Sequence, residues 1–347
     1  MCIAACSGQA DQVTGLSGYA RSIAEFEARL DTLRVRLQIP GMGAAIASNG
    51  RVAWQKPFGL ADVSANAPVR DTTTFHLASL TKMFAAVVLL RLVDSGLVSL
   101  DDPVSKYGIQ IPNAGTIRVR HLMSMTSEGA TPGEQFQYNG DRFALLDGVI
   151  RQSAGGRSFA DLVNAWIITP LSLSRTAPNV DDPASFQYSG KDASAYRATM
   201  AKPYALSNGM VRLSTYPTLF SVAAGLISTA SDVATFSLAL DSGSLLSAAS
   251  RTLMYTPART SQGQLLPYAL GTFSQVYQGV RVVWAYGYWT ANSSLIIKVP
   301  DRGLTFVVVA NSDRLSSPYP LGSGALLESP VAREFLNAFV FNSTPLP

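Results

Sequence analysis

Phe75-His76-Leu77-Ala78-Ser79-Leu80-Thr81-Lys82 runs straight into Met83-Phe84-Ala85-Ala86-Val87-Val88-Leu89-Leu90, and these two stretches decide how the chain is read. A serine and a lysine stand three residues apart, and the run after them leaves almost no polar face before Gly96. Such a helix belongs in a core, and Gly96 suits its C-terminal cap. Positions three apart on the first turn share a face, so Ser79 and Lys82 come within reach of each other. Burial beside the positive end of a helix dipole pushes a lysine toward its neutral form. A neutral amine can take the proton of a serine hydroxyl and so activate a weak nucleophile. The stretch points to a Ser–Lys hydrolase. A bare Ser-x-x-Lys also arises by chance in a chain of this length, with the serine as an N-cap and the lysine snorkelling from a helix end. The surroundings have to decide.

The chain of 347 residues can bury a large core as one big domain or two intimate ones. Hydrophobic residues at 47% against charged residues at 14% describe a packed globular protein rather than a disordered one. The net charge of +4 is mild and its lysines and arginines are scattered, so no nucleic-acid partner is expected. No apolar run is long enough to span a bilayer. Both cysteines lie in Met1-Cys2-Ile3-Ala4-Ala5-Cys6-Ser7. Ile-Ala-Ala-Cys-Ser resembles the end of a bacterial lipoprotein signal, which implies a lipid on Cys6, attachment to a membrane, and an exported, periplasmic protein with residues 9–20 as tether. The alternative is a frayed tail with two thiols of no consequence, on a cytoplasmic protein.

Working outward, residues 18–37 read as an amphipathic helix, with Ile23, Phe26, Leu30, Leu33 and Leu37 at helical spacing. Two apolar runs flank Ser48-Asn49-Gly50, a strong hairpin signal. Residues 83–220 read as mostly helical. Strands are expected at 270–277, 280–286, 292–299 and 304–310, with Pro300-Asp301-Arg302-Gly303 as a turn, and a closing helix at 330–341. A helical part of about 81–224 then interrupts an α/β part built from about 21–80 and 225–347, seating a site between them.

Several segments in order resemble the serine β-lactamase and penicillin-binding-protein superfamily, in its class C-like branch. They include Ile39-Pro40-Gly41-Met42-Gly43, Ser79-Leu80-Thr81-Lys82, Leu100-Asp101-Asp102-Pro103, His121-Leu122-Met123-Ser124, Tyr138-Asn139, and Ala224-Gly225-Leu226-Ile227-Ser228-Thr229. That branch includes D-amino-acid peptidases and carboxylesterases. The resemblance runs from about residue 20 to the end. It implies an α/β, β-lactamase/transpeptidase-like fold, with an antiparallel sheet flanked by helices and a mostly helical subdomain inserted. It also implies Ser79 as nucleophile, Lys82 as proton acceptor, and Tyr138 as the tyrosine of the second motif, sharing a proton with Lys82.

The departures bear on substrate. The family's Tyr-x-Asn reads Tyr138-Asn139-Gly140, so the amide that meets a substrate carbonyl is missing from its position, and the neighbouring Asn139 either offers one to substrate or points elsewhere. The third motif, usually Lys-Thr-Gly or His-x-Gly, reads Ala285-Tyr286-Gly287, so the cation that pairs with a substrate carboxylate is gone. Gly287 keeps the close backbone approach, Tyr288 would lend an N–H to an oxyanion hole with Ser79, and Tyr286 would help wall the pocket. Trp284 and Trp289 add to an aromatic run in which alternate residues turn to opposite faces. The expected substrate is a small ester or amide, with β-lactams and cell-wall peptides as alternatives. A catalytically weak penicillin-recognising domain is the competing reading, and a class C-like β-lactamase or D-Ala carboxypeptidase a third. A Ser-His-Asp triad would need His76 or His121, the only histidines. No metal-ligand spacing and no phosphate loop appear, so no metal or cofactor is expected.

Overall fold

The computed structural model describes residues 20–112 and 115–341. The Cys6 expectation lies outside the described residues. A helix α1 (Ala20–Arg36) leads into β1 (Gly41–Ser48) and β2 (Arg51–Asp62), which are joined by Asn49 and Gly50. Both turn residues have positive φ, 52° and 74°, which matches the twist of a two-residue hairpin. The short β3 (Ala67–Pro68) and β4 (Phe75–His76) follow, then α2 (Thr81–Asp94). α2 is buried along nearly its whole length, as its apolar sequence requires. It stops in a Schellman motif: Gly96 at φ 73° donates to the Val93 carbonyl and Leu97 to that of Leu92.

Between residues 95 and 226 the chain is a set of short helices, α3 (Val119–Met123), α4 (Gly140–Ala144), α5 (Leu146–Ser153), α6 (Phe159–Val163), α7 (Pro183–Phe186) and α8 (Ala193–Arg197). The expectation of a mostly helical stretch is met only in part: 124–139 and 214–226 carry no helix, and β5 (Tyr204–Ser207) and β6 (Met210–Leu213) form a hairpin turning at Asn208-Gly209. β7 (Ile227–Ser228) pairs with β4. α9 (Ala230–Ser242) and α10 (Ala248–Tyr255) precede four strands, β8 (Phe273–Tyr277), β9 (Val280–Trp289), β10 (Asn292–Val299) and β11 (Leu304–Ala310). A last helix, α11 (Pro330–Leu336), relaxes into a wider turn over Asn337–Phe341, so the closing helix is less regular than its sequence pattern suggests.

Among the described residues the main sheet has seven strands in the order β3-β2-β1-β11-β10-β9-β8, every pair antiparallel. Both ends of the chain build it: β1 pairs with β11, so residues 41–48 and 304–310 close the layer. Phe26 of α1 packs edge-on against Phe306, Phe335 and Phe339. On the other face Phe84 of α2 stacks on Phe236 of α9 at 3.8 Å. Covered on both faces, β10 and β11 are buried at every residue, so neither shows the in–out alternation of a half-exposed strand. Lys298, inside this layer, finds Asp241 at 2.9 Å together with the Ser237 hydroxyl. A buried ammonium needs such partners. The expected layered α/β architecture with an antiparallel sheet is present. No helix among the described residues is long and apolar enough to cross a membrane.

Candidate active site

The chain reaches Ser79 from β4 through Leu77, whose N–H binds the Leu226 carbonyl at 2.8 Å. Ala78 then takes φ 48°, in a left-handed region that costs a residue with a Cβ of order 1 kcal/mol or more. The Ala78 N–H donates to His76 Nδ1 at 3.2 Å, and the Ala78 carbonyl accepts from the Thr81 hydroxyl at 2.7 Å. This kink lies in the four residues between the end of β4 and the start of α2. It leaves Ser79 partly exposed between the buried Ala78 and Leu80.

Lys82 is 1% exposed. Its Nζ donates to Ser79 Oγ at 2.9 Å and to the Ala223 carbonyl at 2.8 Å. It also stands 5.3 Å from the centre of the Tyr138 ring and 5.6 Å from that of Phe143. Burial pushes its pKa down to about 7, against the pull of the Asp141 carboxylate. Tyr138 sits among Tyr286, Tyr268 and Phe273, with ring centres 5.4, 6.0 and 6.2 Å away. Burial pushes its phenol up to about 12, and a hydrogen bond with Ser79 draws it back. Ser79 therefore has the Lys82 amine at hydrogen-bond distance and the Tyr138 phenol near enough to be drawn down by its hydroxyl. An amine that is neutral above about pH 7 is competent to accept the serine proton, and a phenol that keeps its own proton is competent to donate one.

Asn139 stands elsewhere. Its Oδ1 caps α4 by accepting from the Arg142 N–H at 3.0 Å, and its Nδ2 donates to Glu128 at 2.7 Å. Arg142 binds the same Glu128 at 3.1 Å. The amide expected to meet substrate is engaged in this local network instead, because a residue at a helix N-cap has its side chain drawn back to the first-turn N–H groups. At the next position the Cα of Gly140 faces Lys82, since a Cβ there would lie 3.8 Å from Nζ.

β9 completes the wall. β8 pairs only as far as Trp284, so the stretch from Ala285 to Trp289 carries no strand on its outer side among the described residues. A Cβ on Gly287 would overlap the Leu77 carbonyl oxygen and the Ser294 hydroxyl, which already donates to that carbonyl at 2.6 Å. We expect Gly287→Ala to cost ~1–3 kcal/mol of stability and at least about tenfold in turnover, because backbone rather than a flexible tip blocks it. Urea unfolding and a turnover assay check this; a variant equal to the parent in both would refute the close approach. Ala285 is buried on the same face, opposite Ile296. Tyr286 and Tyr288 point the other way. They line a cavity of ≈ 250 Å³ with Ser316, Ser317, Pro318, Tyr319 and Gly322. Of the aromatic run, Trp284 is fully buried against Phe273 at 4.0 Å and Trp289 packs edge-on to His76 at 6.1 Å.

The histidines have other work. His76 is buried between Tyr216 and Trp289, and desolvation lowers its pKa to about 4. His121 accepts from the Arg118 N–H at 3.2 Å. Neither bonds to Ser79 among the described residues. No group of three or more His, Cys, Asp or Glu there could hold a metal ion. Sequence reasoning missed the Ala223 carbonyl, the loop carrying Pro318 and Tyr319, and the Ala78 kink. The first acts through backbone and the third is a conformation, so side-chain identity signals neither. The Pro318-Tyr319-Pro320 run was a readable mark of an ordered loop.

Comparison with known proteins shows the family and the fold. The sequence model of the family described as Beta-lactamase matches residues 23–327. "Penicillin-binding protein 4*" of Bacillus subtilis is 24% identical over 327 residues, covering 82% of this chain and 70% of the relative. "Protein flp" of Staphylococcus aureus is 28% identical over 178 residues, 40% of this chain and 35% of the relative's length. Among solved structures, the octameric penicillin-binding protein homologue from Pyrococcus abyssi superposes with a TM-score of 0.76 at 22% identity, over 91% of this chain and 80% of that one. The D-amino acid amidase from Ochrobactrum anthropi SV3, complexed with L-phenylalanine amide, gives 0.72 at 20% identity, over 92% and 99%.

Proposed function

Since the chain belongs to the beta-lactamase family by a match that spans most of its length, we propose that it is an acyl-enzyme serine hydrolase of small, uncharged esters or amides. One observation carries the reading: a buried lysine, its pKa pushed down to about 7 by desolvation, lies 2.9 Å from the hydroxyl of Ser79. In the proposed sequence Lys82 Nζ accepts the Ser79 proton as Oγ bonds to the substrate carbonyl carbon. The carbonyl π electrons move to oxygen, and the Ser79 and Tyr288 N–H groups hold the oxyanion. Collapse breaks the bond to the leaving group, which takes a proton through Tyr138. Water attacks the acyl-serine by the same proton route reversed, returning the proton to Ser79. The Bacillus and Ochrobactrum proteins, named for penicillin binding and D-amino-acid amide hydrolysis, agree with acyl chemistry of this kind.

Substrate class follows from what is missing. Gly140 and Ala285 remove an amide and a cation from positions where a β-lactam or a D-Ala-terminated peptide would find partners for its polar groups. A polar substrate group left without a partner in a shielded site costs several kcal/mol of discrimination. The tyrosine-lined cavity beside Tyr138 supplies apolar faces instead. Aryl esters of short acids should have kcat/KM values above those of penicillins and cephalosporins, and Ala285→Lys should raise β-lactam acylation. Purified protein assayed with a chromogenic ester and a chromogenic cephalosporin tests this; equal kcat/KM on both would contradict it. The same two losses favour a second reading, a domain that acylates but does not turn over. Stoichiometric labelling of Ser79 without a steady state would select it.

A further inference from the structure

Asp147 carries a polar contact that the chemistry above does not use. It is the second residue of α5, and its carboxylate accepts from the Val222 N–H at 3.3 Å. Val222 and Ala223 are the central pair of a tight turn closed by Ser221 N–H to Ala224 O at 2.9 Å and Ala224 N–H to Ser221 O at 3.2 Å. Inside it the Ser221 hydroxyl accepts from the Ala223 N–H at 3.1 Å. The far end is tied to the start of α2, where the Leu226 N–H binds the Thr81 hydroxyl at 3.0 Å. Gly225, at φ 116°, permits the sharp exit, since a Cβ there would lie 2.6 Å from the Leu219 carbonyl. The turn's product is one atom: the Ala223 carbonyl oxygen, 2.8 Å from Lys82 Nζ.

We propose that Asp147 is a positioning residue that holds the 221–224 turn so that the Ala223 carbonyl aims Lys82 Nζ at Ser79. The inference rests on Lys82 being the base. The turn is tied to α2 at Leu226, and the Asp147 carboxylate is a second tie at Val222 that sets where Ala223 sits along the lysine. A lysine amine on a four-carbon stem has many orientations, and a second fixed acceptor removes most of them. Burial pushes the Asp147 carboxyl up to about 6, while the Val222 N–H and Arg151 one turn on draw it down, so it is ionised where Lys82 is neutral.

The consequences differ from those of a plain structural contact. The Ala223 carbonyl also favours the charged form of Lys82, because a hydrogen bond to the ammonium is the stronger one. Asp147→Ala should therefore lower kcat about tenfold with KM nearly unchanged, and move the acid limb of kcat/KM to lower pH by about half a unit. Asp147→Asn keeps an oxygen acceptor and should recover most of kcat with the limb near its parent position. The full set is assayed on the ester from pH 5 to 9 with thermal unfolding alongside, and with Lys82→Ala as control. A folded Asp147→Ala protein whose limb has not moved, while Lys82→Ala is inactive, would overturn the positioning role and leave the base assignment standing. The same follows if Asp147→Asn is as impaired as Asp147→Ala. A Lys82→Ala protein with parental kcat would overturn both.

Discussion

Ser79→Ala should leave the protein folded, unlabelled by a fluorophosphonate probe, and without measurable ester turnover. The expectation is strong because Ser79 alone has the required surroundings. It follows a strained Ala78, stands just ahead of the helix whose first turn carries Lys82, accepts a hydrogen bond from Lys82, and lies near enough to Tyr138 to draw its phenol down. The hydroxyl is partly exposed and the substitution removes one atom from a site with room around it, so the fold should not suffer. Unfolding midpoint, probe labelling and turnover are measured on one preparation. A folded variant that keeps parental turnover would sink the mechanism.

The second large effect concerns the proton route. Lys82→Ala and Tyr138→Phe should each lower kcat about 10²–10⁴-fold, the usual worth of a positioned acid or base. The double variant should lose far less than the product, because groups that act as a unit are not additive. The division of labour is visible in pH. Lys82 is pushed down to about 7, so the active amine form grows as pH rises, and kcat/KM should climb through about pH 7 to a plateau. Tyr138, pushed up to about 12, stays protonated across that range and adds no limb of its own. Desolvation disfavours both charges, so above about pH 7 the proton that Lys82 and Tyr138 share rests on the phenol and the amine is neutral. Losses that multiply would show that the two residues work separately.

How much of this could be read from residues varies with what kind of atom does the work. The Ser79–Lys82 pair and α2 were legible because an apolar run without a polar face has one place to go, and Gly96 marks its end. The strands at 292–299 and 304–310 were equally plain, since burial on both faces selects unbroken runs of apolar and small residues. The need for Gly287 was legible as a close approach, and the overlap with Leu77 supplies its reason. The hairpin of β5 and β6 was not: Met210, Val211 and Leu213 are exposed, so the strand leaves no buried pattern. Asn139 misled because an asparagine after the motif tyrosine serves a helix cap as readily as a ligand. The Ala223 carbonyl and the Ala78 kink were invisible for a deeper reason: any residue has a carbonyl, and alanine does not advertise a positive φ.

The central claim is that Ser79 carries the acyl group between two half-reactions. Rapid acid quench of the protein with a slowly deacylating ester, followed by intact mass and peptide mapping, tests it most directly. One equivalent of acyl mass is expected on the peptide containing Ser79, formed faster above pH 7 than below, and decaying at the rate of product release. Turnover with no covalent species, or acyl mass on another residue, would contradict it.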